Sequence, residues 1–175
     1  VYMDATKGWI PINDGAVAME TAQTYNSEYL IVAGGGAGGE ATTSGGYGRG
    51  GGGAGGYLTN YGGSATALTP GNTYTVTVGD GGAVVTDDQG GNGGDSSITG
   101  AGSGWSNITA DGGGGGGGSR CSGSQSGGSG VVCIFVPACF VDTCSVPSPE
   151  GTYVATPSGG HKIAKFTGTG TLERV

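Results

Sequence analysis

The residues able to do chemistry are few, and their spacing limits what each can do. Gly34, Gly36 and Gly39 follow the apolar run Tyr29–Ala33 as G-x-G-x-x-G, the nominal spacing of a dinucleotide-binding turn. Such a turn works by presenting a helix N-terminus to a pyrophosphate. Here the next residues, Glu40-Ala-Thr-Thr-Ser-Gly-Gly-Tyr-Gly, form no helix, and no acidic residue lies about 20 positions on. Nucleotide binding is set aside, and no cofactor is expected.

Gly90-Gly-Asn-Gly-Gly-Asp95 resembles the start of a calcium-binding nonapeptide, but the apolar residue falls at Ile98, one place late, and the unit does not recur. Asp87, Asp88 and Asp95 are read first as turn formers and second as oxygen ligands for calcium. The cysteines fit no zinc spacing. A Cys139–Cys144 disulfide, or one joining Cys121 to that segment, would suit an extracellular protein, and Cys133 stands where a core hydrophobe is expected. His161 is the only histidine and falls in an expected turn, so no nucleophile–base pair can be assembled. Asn107-Ile108-Thr109 is a glycosylation sequon, read as a chance match. Tyr47, Arg49, Tyr57, Tyr61 and Trp105 are the receptor- or glycan-binding candidates, because a rigid ring on a thin glycine backbone offers stacking area at little entropic cost. The competing reading makes these rings caps on the glycine layer.

The elements that must carry these residues are strands. Glu28–Ala33, Thr73–Val78, Val131–Val136 and Lys162–Phe166 read as strands. Tyr74, Val76 and Val78 alternate with threonines as in a half-buried strand, and Val131–Val136 reads as the central one. Tyr153–Thr156 and His161–Phe166 read as a closing hairpin. No capped segment shows a 3.6-residue apolar period. Between the strands lies glycine, 45 of 175 residues, including the unbroken run 112–118. Such a run cannot make a stable helix or an isolated strand. It can adopt the extended three-per-turn polyglycine II helix, whose neighbours satisfy one another through N–H to C=O bonds. The expected fold is all-β: a β-sandwich-like domain with long glycine-rich loops that include polyglycine-II-type strands. Residues 1–27 read as an N-terminal arm or the tail of an upstream domain, and 28–175 as the glycine-rich β domain. A chain opening on Val1 rather than methionine points to a processed product or the ordered part of a longer protein.

The net charge of −7, with six Lys and Arg, lacks the basic footprint that nucleic acid requires. No apolar run approaches the length of a spanning helix, so no membrane insertion is expected.

Tyr29-Leu-Ile-Val-Ala-Gly-Gly-Gly, Gly51-Gly-Gly-Ala-Gly-Gly-Tyr57, Leu68-Thr-Pro-Gly-Asn-Thr-Tyr-Thr-Val-Thr-Val-Gly79, Gly91-Asn-Gly-Gly-Asp-Ser-Ser-Ile98, Gly127-Gly-Ser-Gly-Val-Val132 and Lys162-Ile-Ala-Lys-Phe-Thr-Gly-Thr-Gly-Thr171 occur in that order. The set resembles the glycine-rich domain of bacteriophage tail-fibre and other appendage proteins over residues 28–175, departing around Cys133 and in Pro137–Cys144. The resemblance implies a non-enzymatic structural or adhesive module on a virion appendage or other extracellular fibre. Its implied partners are copies of itself, as a trimer or an open polymer, and a host-surface glycan or protein. Two other readings stand beside it. One is a protomer of a non-viral extracellular filament; the other is a polysaccharide depolymerase, which would need paired carboxylates among Asp87, Asp95 and Asp111.

Overall fold

Val131-Val132-Cys133-Ile134-Phe135-Val136 has apolar residues at every position, and such a run belongs in the middle of a sheet. In the computed structural model it does. The structure describes residues 2–4, 8–9, 24–39, 50–85, 89–100, 105–117, 126–137, 144–145, 151–158 and 161–174, and among them every regular element is a strand. These are β1 (Tyr2–Asp4), β2 (Gly8–Trp9), β3 (Tyr25–Val32), β4 (Tyr57–Thr59), β5 (Thr66–Leu68), β6 (Thr73–Thr77), β7 (Ser96–Gly100), β8 (Ile108–Ala110), β9 (Val131–Pro137), β10 (Cys144–Ser145), β11 (Gly151–Ser158), β12 (His161–Phe166) and β13 (Gly170–Arg174).

One antiparallel sheet runs β11-β12-β9-β3-β4, with β5 added to the start of β3, and the apolar run is its middle strand. The other runs β10-β13-β6-β7-β8. β1 and β2 pair with each other. His161, expected in a turn, opens β12 instead.

The two sheets face each other through alternating side chains. Ile31, Val132, Ile134, Val136, Ala164 and Phe166 meet Tyr74, Val76, Ile98, Ala110 and Leu172, all essentially removed from solvent. The cross-strand register sets these faces, since Val76 lies opposite Ile98 and Leu172 opposite Tyr74. Burying each large aliphatic side chain contributes about 1.5–3 kcal/mol toward holding the two sheets together. The strand β6 follows the alternation read from sequence: Tyr74 and Val76 point inward, Thr73 and Thr75 outward. The Pro70-Gly71 turn leads into it, with Gly71 at φ 79.

Six strands run on directly into glycine segments: β3 into 33–39, β6 into 79–85 and β8 into 111–117, while 50–56 feeds β4, 89–95 feeds β7 and 126–130 feeds β9. The hydrogen bonds among these segments recur every third residue. Ala33, Gly36 and Gly39 donate to the carbonyls of Gly56, Gly53 and Gly50; Gly34 and Ala37 donate to Gly94 and Gly91; Gly35 donates to Gly128. In return Gly34 and Ala37 accept from Gly113 and Gly116, and Gly35 accepts from Gly82. Successive residues 33–35 therefore send their three N–H groups to three different neighbours, and Gly36, Ala37 and Gly39 repeat the pattern, as the threefold polyglycine II helix requires.

The neighbours also bond to one another around this central segment. Gly50, Gly53 and Gly56 donate to Gly117, Gly114 and Asp111; Gly90 and Gly93 donate to Gly116 and Gly113; Gly91 and Gly94 donate to Ala83 and Asp80; Gly127 and Gly130 donate to Gly82 and Gly79. The result is a glycine bundle growing out of one end of the sandwich. Its spacing leaves no room for side chains between the segments: a methyl group on Gly36 would run into the backbone of Gly114, and one on Gly52 into the backbone of Gly36. Ser96 ties bundle to sandwich, because its fully buried hydroxyl accepts the N–H of Gly79 at 2.9 Å.

Candidate functional site

The G-x-G-x-x-G segment is consumed by the bundle. The N–H groups of Gly34, Gly36 and Gly39 are donated to Gly94, Gly53 and Gly50 at 2.8–3.1 Å, so none faces a ligand. Asp95 is likewise engaged. Its Oδ1 accepts the N–H of Gly112 at 2.8 Å, while Asn92 Oδ1 accepts that of Gly115 at 2.8 Å and Gln89 Nε2 donates to the Gly115 carbonyl at 3.2 Å. Gln89, Asn92 and Asp95 stand three apart on one side of their segment and close off a row of backbone groups on the next. Asp87 and Asp88, the other calcium candidates, lie outside the described residues, and Asp111 is exposed.

Of the five aromatic and arginine candidates, the structure places two on the same outer face of one sheet, Tyr57 beside the end of β3 and Tyr61 over Phe135 near its start. β4 is the edge strand of its sheet, and Tyr57 and Tyr61 are 60% and 69% exposed. Tyr57 lies opposite Val32, and Thr59 opposite Leu30, on the face of the sheet turned away from the sandwich core. Tyr61 reaches that same face, where its ring meets Phe135 at 5.4 Å and 47°.

The segment that displays these rings is held from several sides. Asn60 Oδ1 accepts the N–H of Tyr29 at 2.6 Å, and its Nδ2 donates to Ser64 O and Thr66 Oγ1. Thr59 Oγ1 donates to Tyr29 O at 2.8 Å and accepts the N–H of Tyr61 at 3.1 Å. Gly62, at φ 73, donates to Glu28 Oε1 at 3.1 Å. Each exposed tyrosine on so constrained a backbone can stack on a flat ligand without the chain first ordering itself. Trp105 differs: its ring packs edge-on to Tyr74 at 4.8 Å, and it covers the core. Tyr47 and Arg49 lie outside the described residues.

Cys133 is not in the sandwich core. It points to the outer face, half-buried between Leu30 and Lys165, because its neighbours Val132 and Ile134 take the inner positions. Burial raises its thiol pKa above the ordinary value, and the nearby Lys165 ammonium offsets part of that. Cys144 lies in β10 opposite Arg174, and Cys121 and Cys139 lie outside the described residues.

Sequence reading missed Asn60 and the Gln89-Asn92-Asp95 row. Asn60 carried no pattern that singled it out. The three-residue spacing of 89, 92 and 95 was the available signal for the row, once that segment is taken as polyglycine II. The half-buried apolar outer face formed by Leu30, Val32, Val131, Phe135 and Ile163 was also missed, because an unbroken apolar strand does not say which of its faces meets the core.

A family model described as a glycine-rich domain matches residues 12–171. No curated protein and no solved structure matches the chain significantly.

Proposed function

The chain belongs to the glycine-rich domain family, and on that premise we propose that it is a non-enzymatic structural and adhesive module of an extracellular appendage, in the first place a phage tail fibre, that contacts a host-surface glycan or protein. One observation carries this reading. Gly39, Gly50 and Gly117 bond to one another in series at the end of the bundle remote from the sandwich. In sequence, Tyr47 and Arg49 fall between Gly39 and Gly50. A bundle cross-linked by backbone bonds at every turn is a stiff support, and ligand-contacting residues are well placed on segments that a rigid scaffold presents. Tyr57 and Tyr61 offer further, lateral contacts on the outer face of the sandwich from which the bundle grows.

The test is retention of fluorescently labelled chain on a panel of bacterial cells, intact and stripped of surface polysaccharide. Saturable retention on some strains, falling about tenfold or more in a Tyr47→Ala, Arg49→Ala double variant of unchanged melting temperature, is expected if these two residues make the anchoring contacts. Retention on no strain, or equal retention of the double variant, overturns the adhesive reading as placed on Tyr47 and Arg49.

A further inference from the structure

The neighbours of the central segment 33–39 follow a strict alternation. Passing around it through the bonded pairs, segment 50–56 receives its N–H groups, 111–117 donates to it, 89–95 receives, 79–85 donates and 126–130 receives. A polyglycine II helix has three donor and three acceptor directions, and the described residues fill five of them. The sixth, between 126–130 and 50–56, is an acceptor direction: it belongs to the carbonyls of Ala33, Gly36 and Gly39, whose N–H groups are all used and which accept no N–H among the described residues.

A second observation marks the same position. A Cβ built on Gly35 points between Gly53 and Gly128, and one on Gly38 points beside Gly50; each meets nothing nearer than 3.6 Å, whereas Gly34 and Gly36 have no such room. Gly35 and Gly38 are partly solvent-exposed, and Gly51, Gly53 and Gly128 on the flanks are exposed. A groove is therefore floored by the central segment and walled by backbone on both sides.

We propose that this groove is a binding site for a glycine-rich strand of a partner chain in the polyglycine II conformation. The occupant must present an N–H every third residue, about 9 Å apart, to meet the carbonyls of Ala33, Gly36 and Gly39. It must also lack side chains on the rows that face the walls, and its third row is free to carry a small polar residue toward solvent. These demands select by backbone alone, as strand addition to a sheet edge does. The groove follows from the bundle geometry and does not depend on the appendage reading.

The probe is the peptide acetyl-(Gly-Gly-Ser)4-amide, titrated at millimolar concentration into isotope-labelled full chain and followed by NMR. Saturable shifts are expected in the amides of Gly35, Gly36 and Gly38 and in the carbonyl carbons of Ala33, Gly36 and Gly39. A polysarcosine of equal length has no N–H to give and should produce none of them. A Gly35→Leu chain, its new side chain lying in the groove, should keep its melting temperature within a few degrees and lose the response to the peptide. No saturable shift with the Gly-Gly-Ser peptide, or an equal one with polysarcosine, overturns the proposal. That comparison decides the matter even if Gly35→Leu fails to fold.

Discussion

Asn92 Oδ1 accepts the N–H of Gly115 at 2.8 Å, and Asp95 Oδ1, three residues on, accepts that of Gly112 at the same distance. The side chains supply here what a further glycine strand would otherwise supply. Removing one strands a backbone donor at the surface of the bundle. Asn92→Ala should cost about 0.5–1.5 kcal/mol, a fall of roughly 2–4 °C in melting temperature per kcal/mol for a domain of this size. Calorimetry of the two chains checks it.

The bundle makes glycine substitutions divide sharply. Gly36→Ala forces the backbone of Gly114 to move and should destabilise by about 3 kcal/mol or more, as overpacking of a rigid interior does. Gly51→Ala places its methyl in open space and should be neutral or stabilise by about 0.4–1 kcal/mol through the unfolded chain. Urea titration of both variants gives the comparison, and equal effects would contradict the packing.

Amide hydrogen exchange should read out the three-residue period directly. The N–H groups of Gly34, Gly35, Gly36 and Ala37 are all bonded within the bundle and should exchange slowly. In segment 50–56 only Gly50, Gly53 and Gly56 donate to another described residue, so Gly51, Gly52 and Ala54 should exchange fast while Gly53 between them is protected. Site-resolved exchange by NMR measures this.

Asn60 holds the tyrosine-bearing segment through bonds to Tyr29, Ser64 and Thr66. Asn60→Ala leaves the half-buried N–H of Tyr29 without its acceptor and should cost about 1–3 kcal/mol. Sharper motion of the Tyr61 ring is expected alongside, visible as line narrowing in its aromatic NMR signals.

The Cys133 thiol is held protonated by burial, so alkylation by iodoacetamide at that residue should rise with pH along a curve displaced upward from that of an unfolded cysteine. Lys165→Ala removes the charge that opposes this and should move the curve further up. The linkage has the matching sign: the neutral thiol contributes stability below the unfolded pKa, and that contribution is lost as pH climbs through the folded one. Peptide-resolved mass spectrometry follows Cys133 alone.

Alternation and apolar runs made the sandwich legible, because a strand facing one core has a period of two. For that reason Tyr74 and Val76 read as sharing one face, though the alternation does not say which face meets the core, and Val131–Val136 reads as the centre of its sheet. The polyglycine conformation was legible from the run 112–118, but the neighbours of each segment were not. Glycine carries no side chain, so nothing in 33–39 distinguishes a partner at 50–56 from one at 89–95; closure of the whole chain chooses. For the same reason Gly34-x-Gly36-x-x-Gly39 matched the spacing of a dinucleotide-binding turn, although its sequence context already spoke against one. Only the positions of Gly94, Gly53 and Gly50 reveal that its donors are already taken. Cys133 was misplaced because it sits in a strand apolar on both faces.

The threefold bonding of segment 111–117 has a consequence for how such a domain can change length. Inserting one residue after Gly113 would turn every later N–H by a third of a revolution, aiming the donor that now meets Ala37 at a different neighbour. Inserting three would restore each row. Within the glycine segments, then, viable insertions and deletions come in multiples of three residues, and any other number has to be absorbed in the connections at the far end.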